Sequence, residues 1–422
     1  MKQLLIAALV FALAIGSAAA DEGVLVADVA EKALQQSQIT LPGSNPFHLV
    51  ATIVETTDPG SEPRATIEEY WISPDKWRRT IKSADFSQTR IVNGDAVSEQ
   101  NTGDYFPAWL SQLITAVIDP LPMLNAIKQS NSRMQKPRAD ETCADFHMRI
   151  DRWVICFEGA HGLLTSIFTK GYSAEFKDFE NFAGKRVPRR IVKELEPGTT
   201  LELRIDSLEV LQAPDESMFT ISQPTPLSDQ ISRLVVSDET ARTLIESSME
   251  IAWPSVGGGI LKGGCGIYIS ADRSGHVREA WPEGCDNPAM QGVLRDAVMK
   301  WQLKPAVLHG VPVQIESLMG FSYETTVDTA KTPPLLTDDE ARKLATYSVQ
   351  PKFPEGTPRP ADFIAQITVD DTGKFISIQN TNRLDGPILQ AIVAALRKWE
   401  FKPFIKDGQP QLFHADIIFH NN

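Results

Sequence analysis

Apolar and polar residues alternate with a period of two along much of the first half of the chain. Runs at 47–56, 64–72, 77–81, 89–92, 154–157, 186–195, 200–210 and 218–221 read as strands separated by polar turns. Two stretches carry a helical pattern instead. One spans 26–37; the other spans 109–118, is almost wholly apolar, and is closed by Pro120 and Pro122. Strands at this spacing predict a large, strongly curved antiparallel sheet accompanied by these two helices.

The second half repeats itself. Shifting 269–321 by 98 residues places Ile269 on Ile367, Asp272 on Asp370, Gly275 on Gly373, Lys300-Trp301 on Lys398-Trp399 and Lys304-Pro305 on Lys402-Pro403. Gly310, Pro312 and Phe321 then fall on Gly408, Pro410 and Phe419 without a gap. Upstream, Ser237-Asp238-Glu239 and Thr337-Asp338-Asp339 open matching helices, with Ser and Thr as N-caps and Thr337/Glu340 in capping-box spacing. Asp272–Gly275 and Asp370–Gly373 read as strand-linking turns. Val293, Leu294, Ala297, Val298 and Trp301 share one helix face, as do Ile392, Ala395, Leu396 and Trp399. The Lys-Pro pairs are expected to stop these helices. Hairpins are expected at Gly310 and at Asp407-Gly408. Each repeat thus runs helix, strand, strand, helix, strand, an α+β module with the Trp-bearing helix on its sheet.

Trp301-x-x-Lys304-Pro305-Ala306, Gly310-x-Pro312-Val313 and Phe321-x-Tyr323, repeated as Trp399-x-Phe401-Lys402-Pro403, Gly408-x-Pro410 and Ile418-x-His420, resemble the C-terminal domain of TonB-type energy transducers. The resemblance implies that Trp301, Pro305, Gly310, Trp399, Pro403 and Gly408 anchor the two repeats. It also implies an envelope protein, or an extended peptide segment, as the partner. Such a segment would add to a sheet edge, with the last strands, 311–323 and 409–419, as candidates.

In the first half, Glu69-Tyr70-Trp71-Ile72-Ser73-Pro74-Asp75-Lys76-Trp77-Arg78-Arg79, Asn93-Gly94-Asp95, Gly184-Lys185-Arg186-Val187-Pro188-Arg189 and Met218-Phe219 are similar to the lipoprotein-carrier-like half-barrel family. That resemblance implies a lipid or lipoprotein ligand, with Tyr70, Trp71, Trp77 and Trp109 as candidates to line its cavity. Arg78-Arg79 and Arg189-Arg190 are candidates to grip an anionic head group, or else solvated strand ends.

The N-terminus adds a compartment. Met1-Lys2-Gln3, an apolar run from Leu4 to Ile15, and Ala18-Ala19-Ala20 before Asp21 have the layout of a cleavable secretory leader. A periplasmic or secreted protein, soluble after cleavage, is expected; an uncleaved leader would anchor it to the inner membrane. The expected organisation is a leader at 1–20, an antiparallel sheet domain at 23–224, and repeat modules at 230–326 and 335–422. Export suits two local disulfides among Cys143, Cys156, Cys265 and Cys285, although spacing alone leaves their connectivity open. Cys143-x3-His147-x8-Cys156 does not match a zinc pattern. His414, Asp416 and His420 share a strand face and read as polar surface positions.

A net charge of −13 argues against nucleic acid as a partner. There is no phosphate-cradling Gly loop, nucleophile elbow or H-E-x-x-H. No enzyme, metal site or cofactor is therefore expected. The leading expectation is an envelope binding protein engaging partners through its repeats. The alternatives are a lipid or lipoprotein carrier built on the first half, and an energy transducer if the leader is retained.

Overall fold

The computed structural model describes residues 24–56, 62–134, 141–148, 151–159, 162–169, 171–196, 199–328, 332–353, 362–379, 386–406 and 408–420. The leader expected at 1–20 lies outside these residues, as does Asp407. The chain forms two compact units. The first takes Met1–Ile251, Cys265–Cys285 and Leu294–Phe321; the second takes Ala252–Gly264, Asp286–Val293 and Ser322–Asn422.

The first unit is built on eleven antiparallel strands. They are β1 (Phe47–Glu55), β2 (Ala65–Ser73), β3 (Lys76–Ser83), β4 (Ser87–Asn93) and β5 (Ala96–Asn101). After a helical insert come β6 (Glu141–Met148), β7 (Asp151–Glu158), β8 (Leu164–Thr169), β9 (Tyr172–Phe182), β10 (Lys185–Glu196) and β11 (Thr199–Val210). The sheet order is β5-β4-β3-β2-β1-β11-β10-β9-β8-β7-β6, two meanders joined where β1 pairs with β11. Among the described residues the sheet is open, since β5 and β6 are its ends.

Period two decides what each face carries. Phe47, Leu49, Ala51 and Ile53 of β1 are buried, and so are Leu201, Leu203, Ile205 and Leu208 of β11. The last spacing is odd because a bulge between Ile205 and Ser207 shifts the register and returns Leu208 to the buried face. Three helices pack on that face: α1 (Val26–Ser37), α2 (Ala108–Ile118) and α3 (Leu124–Ser130). Helix α1 buries Val26, Ala30, Ala33, Leu34 and Ser37, a stripe at helical spacing.

The strand expected at 218–221 does not form. Glu216–Phe219 is a 3₁₀ turn capped by Asp215, whose carboxylate accepts from Ser217 N at 2.9 Å. Only Phe219 is buried there, so the segment has no alternating face to commit to a sheet. The chain then runs along the β5 edge. Thr225 N donates to Val97 O (2.8 Å), and its hydroxyl donates to Glu99 O (3.1 Å) while accepting from Glu99 N (2.8 Å). An edge strand is thereby covered.

The first repeat contributes β12 (Arg233–Val236), α4 (Asp238–Leu244), β13 (Lys262–Ala271), β14 (Val277–Cys285), α5 (Gln291–Val298), β15 (Ala306–Leu308) and β16 (Val311–Glu324). Its strand order is β12-β16-β13-β14, with β15 also on β16. The second unit carries the second repeat: β17 (Leu335–Leu336), α6 (Asp338–Leu344), β18 (Asp362–Val369), β19 (Phe375–Gln379), α7 (Gly386–Leu396) and β20 (Phe413–His420). Its order, β17-β20-β18-β19, is that of the first. Its core joins Ile367, Ile392, Leu396, Trp399, Phe413 and Ile417.

Both repeats use the Asp-x-x-Gly turn in the same way. Asp272 Oδ1 accepts from Ser274 N and His276 N, both at 3.0 Å; Asp370 Oδ1 accepts from Thr372 N and Lys374 N at 2.9 and 2.8 Å. Gly275 and Gly373 have φ of +89° and +91°, and a Cβ on either would sit 1.9 or 2.0 Å from the carbonyl oxygen of Leu303 or Phe401. Those carbonyls are close because Leu303 N and Phe401 N donate to the turn glycines' own carbonyls, at 2.8 and 3.0 Å. The same bonds explain where the helices stop. Helices α5 and α7 end at Val298 and Leu396, ahead of the Lys-Pro pairs, as the chain is drawn into short strands at Gln302–Leu303 and Glu400–Phe401. No helix among the described residues is long and apolar enough to cross a membrane.

Candidate functional site

The buried face of the large sheet is largely apolar, with Gln88 and Lys193 among its exceptions, and it carries one row of four charged side chains. Register places Glu69 of β2 opposite Arg79 of β3, Arg79 opposite Arg90 of β4, and Arg90 opposite Glu99 of β5. Arg79 grips Glu69 with two bonds of 2.9 Å, Nε to Oε2 and Nη2 to Oε1. Arg90 Nη1 meets Glu99 Oε2 at 2.5 Å, and Glu99 Oε1 also accepts from Asn101 Nδ2 (2.7 Å) and Ile231 N (2.8 Å). The acids are the deeper partners: Glu69 and Glu99 side chains are 3% and 0% exposed. Two like charges directly opposite on a sheet repel. Each arginine here is held by its own carboxylate at the outer end of the row. Arg90 Nε is buried without a hydrogen-bond partner, a deficit of ~1–3 kcal/mol for a buried donor.

The row opens on a pocket of about 170 Å³ between β3, β4 and helix α2, lined also by Trp77, Gln88, Phe106, Ser111, Ile114, Thr115, Ile118, Ile231 and Arg233. Ser111, Ile114, Thr115 and Ile118 lie on one face of α2 at helical spacing. Another face, with Ala116 and Val117, closes a second feature, a seam against Leu164, Phe176, Phe179, Val187, Ile191 and Ile205 of β8 to β11. Its free volume is about 10 Å³, room for roughly one water. Apart from Ser37 every lining residue is apolar.

Helix α2 has no side-chain cap of its own; Pro107 precedes it. Its first N–H groups are satisfied from the first repeat, within the same compact unit. Glu279 of β14 accepts from Ala108 N (3.0 Å) through Oε1 and from Trp109 N (3.3 Å) through Oε2. Gln314 of β16 accepts from Phe106 N (3.0 Å) and donates to Phe106 O (2.9 Å). Around this clamp Tyr268 donates to Glu316 (2.6 Å) and stacks on Trp281 at 5.1 Å, and the Lys193 ammonium lies 5.7 Å from the Trp281 ring. Burial raises the Glu279 carboxyl to about 7 against the help of its N–H donors, and burial lowers Lys193 to about 8. Burial and then the charge of Glu279 push the Tyr105 phenol well up.

The four aromatics expected to line a cavity are placed apart. Trp71 is buried in the core and stacks on Phe47 at 5.4 Å, whereas Tyr70, its neighbour in β2, points to the other face and stacks on His48 at 4.2 Å. Period two forbids both from facing one cavity. Trp77 lines the arginine pocket, with Arg79 over its ring at 4.9 Å; Trp109 packs at the core margin under Arg64 at 5.2 Å. Arg79 faces the pocket, while Arg78 pairs across from Tyr70 on the opposite face. Arg189 and Arg190 are held by Glu180 (2.8 Å), and by Asp178 (3.0 Å) and Glu202 (3.2 Å).

The cysteines form two cross-strand disulfides, Cys143–Cys156 between β6 and β7 and Cys265–Cys285 between β13 and β14. Glu141 lies beside the first pair, but sulfurs in a disulfide offer no thiolate to a metal. His414 Nδ1 lies 3.0 Å from Thr368 Oγ1 and Asp416 accepts from Gln366 at 3.0 Å; the side chain of His420 lies outside the described residues. Trp301 and Trp399 are buried and equivalent, donating to Met249 O (3.2 Å) and Val349 O (2.9 Å). Pro305 and Pro403 are exposed, just before Ala306 and Phe404, and Gly310 and Gly408 occupy turns with φ of +82° and +78°.

The last strands of the repeats are not open edges along their length. Residues 314–317 of β16 pair in parallel with β12, and 414–415 of β20 with β17. Beyond those pairs, the Arg242 guanidinium donates to Gly320 O, Arg342 Nη2 donates to Ile418 O (2.7 Å), and Asp338 Oδ1 accepts from Ile418 N (2.9 Å). A peptide adding there would first displace these groups.

The arginine row was not legible as a site. Its signal is a charge at an inward position in each of four successive strands, and reading it requires the register.

No family profile and no curated protein matches the chain. Among solved structures, a LolA-superfamily protein of Nitrosomonas europaea is similar at 13% identity, over 47% of this chain and 98% of that one, with a TM-score of 0.29. A putative outer membrane lipoprotein-sorting protein domain of Vibrio parahaemolyticus is similar at 11% identity, over 46% of this chain and 95% of that one, with a TM-score of 0.27.

Proposed function

We propose that the first unit is a non-catalytic carrier in the cell envelope, sheltering the acyl chain of a lipid or lipoprotein between helix α2 and strands β8 to β11. The observation that carries this reading is the seam: ten apolar side chains and Ser37 meet where the ends of α1 and α2, with Pro120 after α2, lie on the sheet. Its free volume, about 10 Å³, is too small for a chain while the seam is shut. Loading therefore requires α2 to part from the sheet at the Ala116–Val117 end, while Glu279 holds its first turn and Gln314 holds Phe106 just ahead of it. Each methylene that enters gains ~0.8 kcal/mol, so a handful offsets the parting of a helix end.

The test is uptake of a fluorescent fatty acid by the full chain, with native mass spectrometry of the purified protein. One lipid equivalent is expected. Val117→Arg, which puts a charge in the seam, is expected to weaken uptake by tenfold or more with the fold intact by circular dichroism. A chain that retains no lipid and takes up no fatty acid sinks the reading.

A further inference from the structure

We propose that the pocket between β3, β4 and α2 takes the anionic head of an amphiphile, a phosphate or carboxylate held by Arg79, Arg90 and Arg233. Three guanidiniums line this pocket and no carboxylate does. The acids that neutralise them stand behind: Glu69 under Arg79, Glu99 under Arg90, and Glu316, which Arg233 Nη1 meets at 3.3 Å. These pairs use some of each fork's donors and fix its orientation, leaving others directed elsewhere. Arg90 Nε is already buried with no hydrogen-bond partner. Arg79 and Arg90 are cross-strand neighbours, so two cations meet at the centre of the row, where an anion relieves their repulsion. Guanidinium forks suit the oxygens of phosphate and carboxylate.

The remaining wall makes the ligand an amphiphile rather than a bare ion. Trp77, Phe106, Ile114 and Ile231 supply apolar surface beside the arginines, and Ser111 and Thr115 supply hydroxyls from α2. At about 170 Å³ the pocket is smaller than the ~300–1,000 Å³ that encloses a drug-sized molecule. It fits a head group and its first carbons. The amphiphile rests on the carrier reading above; the anion does not.

The experiment compares binding to the full chain of lysophosphatidylglycerol, lauric acid and neutral monolauroylglycerol by calorimetry, with glycerol phosphate as a head group lacking a chain. The variants are Arg90→Gln/Glu99→Gln, which removes a buried pair without stranding either charge, and Arg233→Gln. At least tenfold tighter binding of an anionic amphiphile than of monolauroylglycerol is expected, weakening with salt and lost in either folded variant. The anionic ligand that shows the preference identifies the head as phosphate or carboxylate. Equal affinity for charged and neutral ligands, or a preference that survives both variants, overturns the proposal and leaves the carrier reading standing. If none of the three amphiphiles binds, the carrier reading fails. Glycerol phosphate then decides: binding that is lost in the variants supports the anion site, and no binding overturns it.

Discussion

Glu279 shows how one buried carboxyl couples stability to pH. In the unfolded chain it ionises near 4.5, and in the fold only near 7. The folded state therefore holds a proton that the unfolded state gives up, and stability falls as pH rises from about 4.5 to 7. The loss approaches ~3 kcal/mol above that range. Lys193 acts in the other direction at higher pH. Its folded value near 8 lies below the usual 10.5, so the stability it withholds is recovered as pH rises from about 8 to 10.5. The groups facing Glu279 are Tyr105 and the charges of Glu316 and Lys193. Thermal melts between pH 5 and 8 are expected to fall, and Glu279→Gln is expected to flatten that fall. Parallel slopes for both proteins would contradict this account.

At the scale of elements, each repeat guards its own edge with its first helix. Helix α6 is set by a full capping box, in which Thr337 accepts from Glu340 N and Glu340 accepts from Thr337 N (2.8 Å). That cap fixes Asp338 and Arg342, one turn apart, against the backbone of Ile418. Edge strands left open invite pairing between chains. Asp338→Ala/Arg342→Ala is expected to lower stability by ~1–3 kcal/mol from the orphaned backbone groups. Concentration-dependent association in size-exclusion chromatography is expected to accompany the loss. A variant that melts lower but stays monomeric would leave the contact structural only.

For the whole first unit, the partition of the chain by compactness differs from its partition by repeat. The large sheet and most of the first repeat's strands belong together. Gln230 and Ile231 are buried, Ile231 N is bound to Glu99, and the N-terminus of α2 is capped from β14. A fragment of residues 24–224 leaves Glu99 short of a donor and the first turn of α2 without acceptors. It is expected to exchange the amides of Ala108 and Trp109 faster by tenfold or more than the full chain, read by hydrogen exchange. Equal protection would show that the large sheet holds α2 unaided.

The sequence by itself determined the local patterns. Alternation gave the buried stripe of β1 and β11, helical spacing gave α1 and α2, and the duplicated Asp-x-x-Gly, Trp and Ser/Thr-cap positions gave two repeats with the same succession of elements along the chain. These are properties of neighbouring residues, set by backbone periodicity and steric freedom. Tertiary structure decided the remainder. Register alone placed Glu69, Arg79, Arg90 and Glu99 in one row and sent Tyr70 and Trp71 to opposite faces. Folding alone brought Glu279 to the start of a helix about 170 residues earlier in the chain and Gln314 to Phe106, 208 residues earlier, and it paired the cysteines. A charge at an inward position reads as a flaw in alternation until its cross-strand neighbours are known, because its energy depends on what stands opposite.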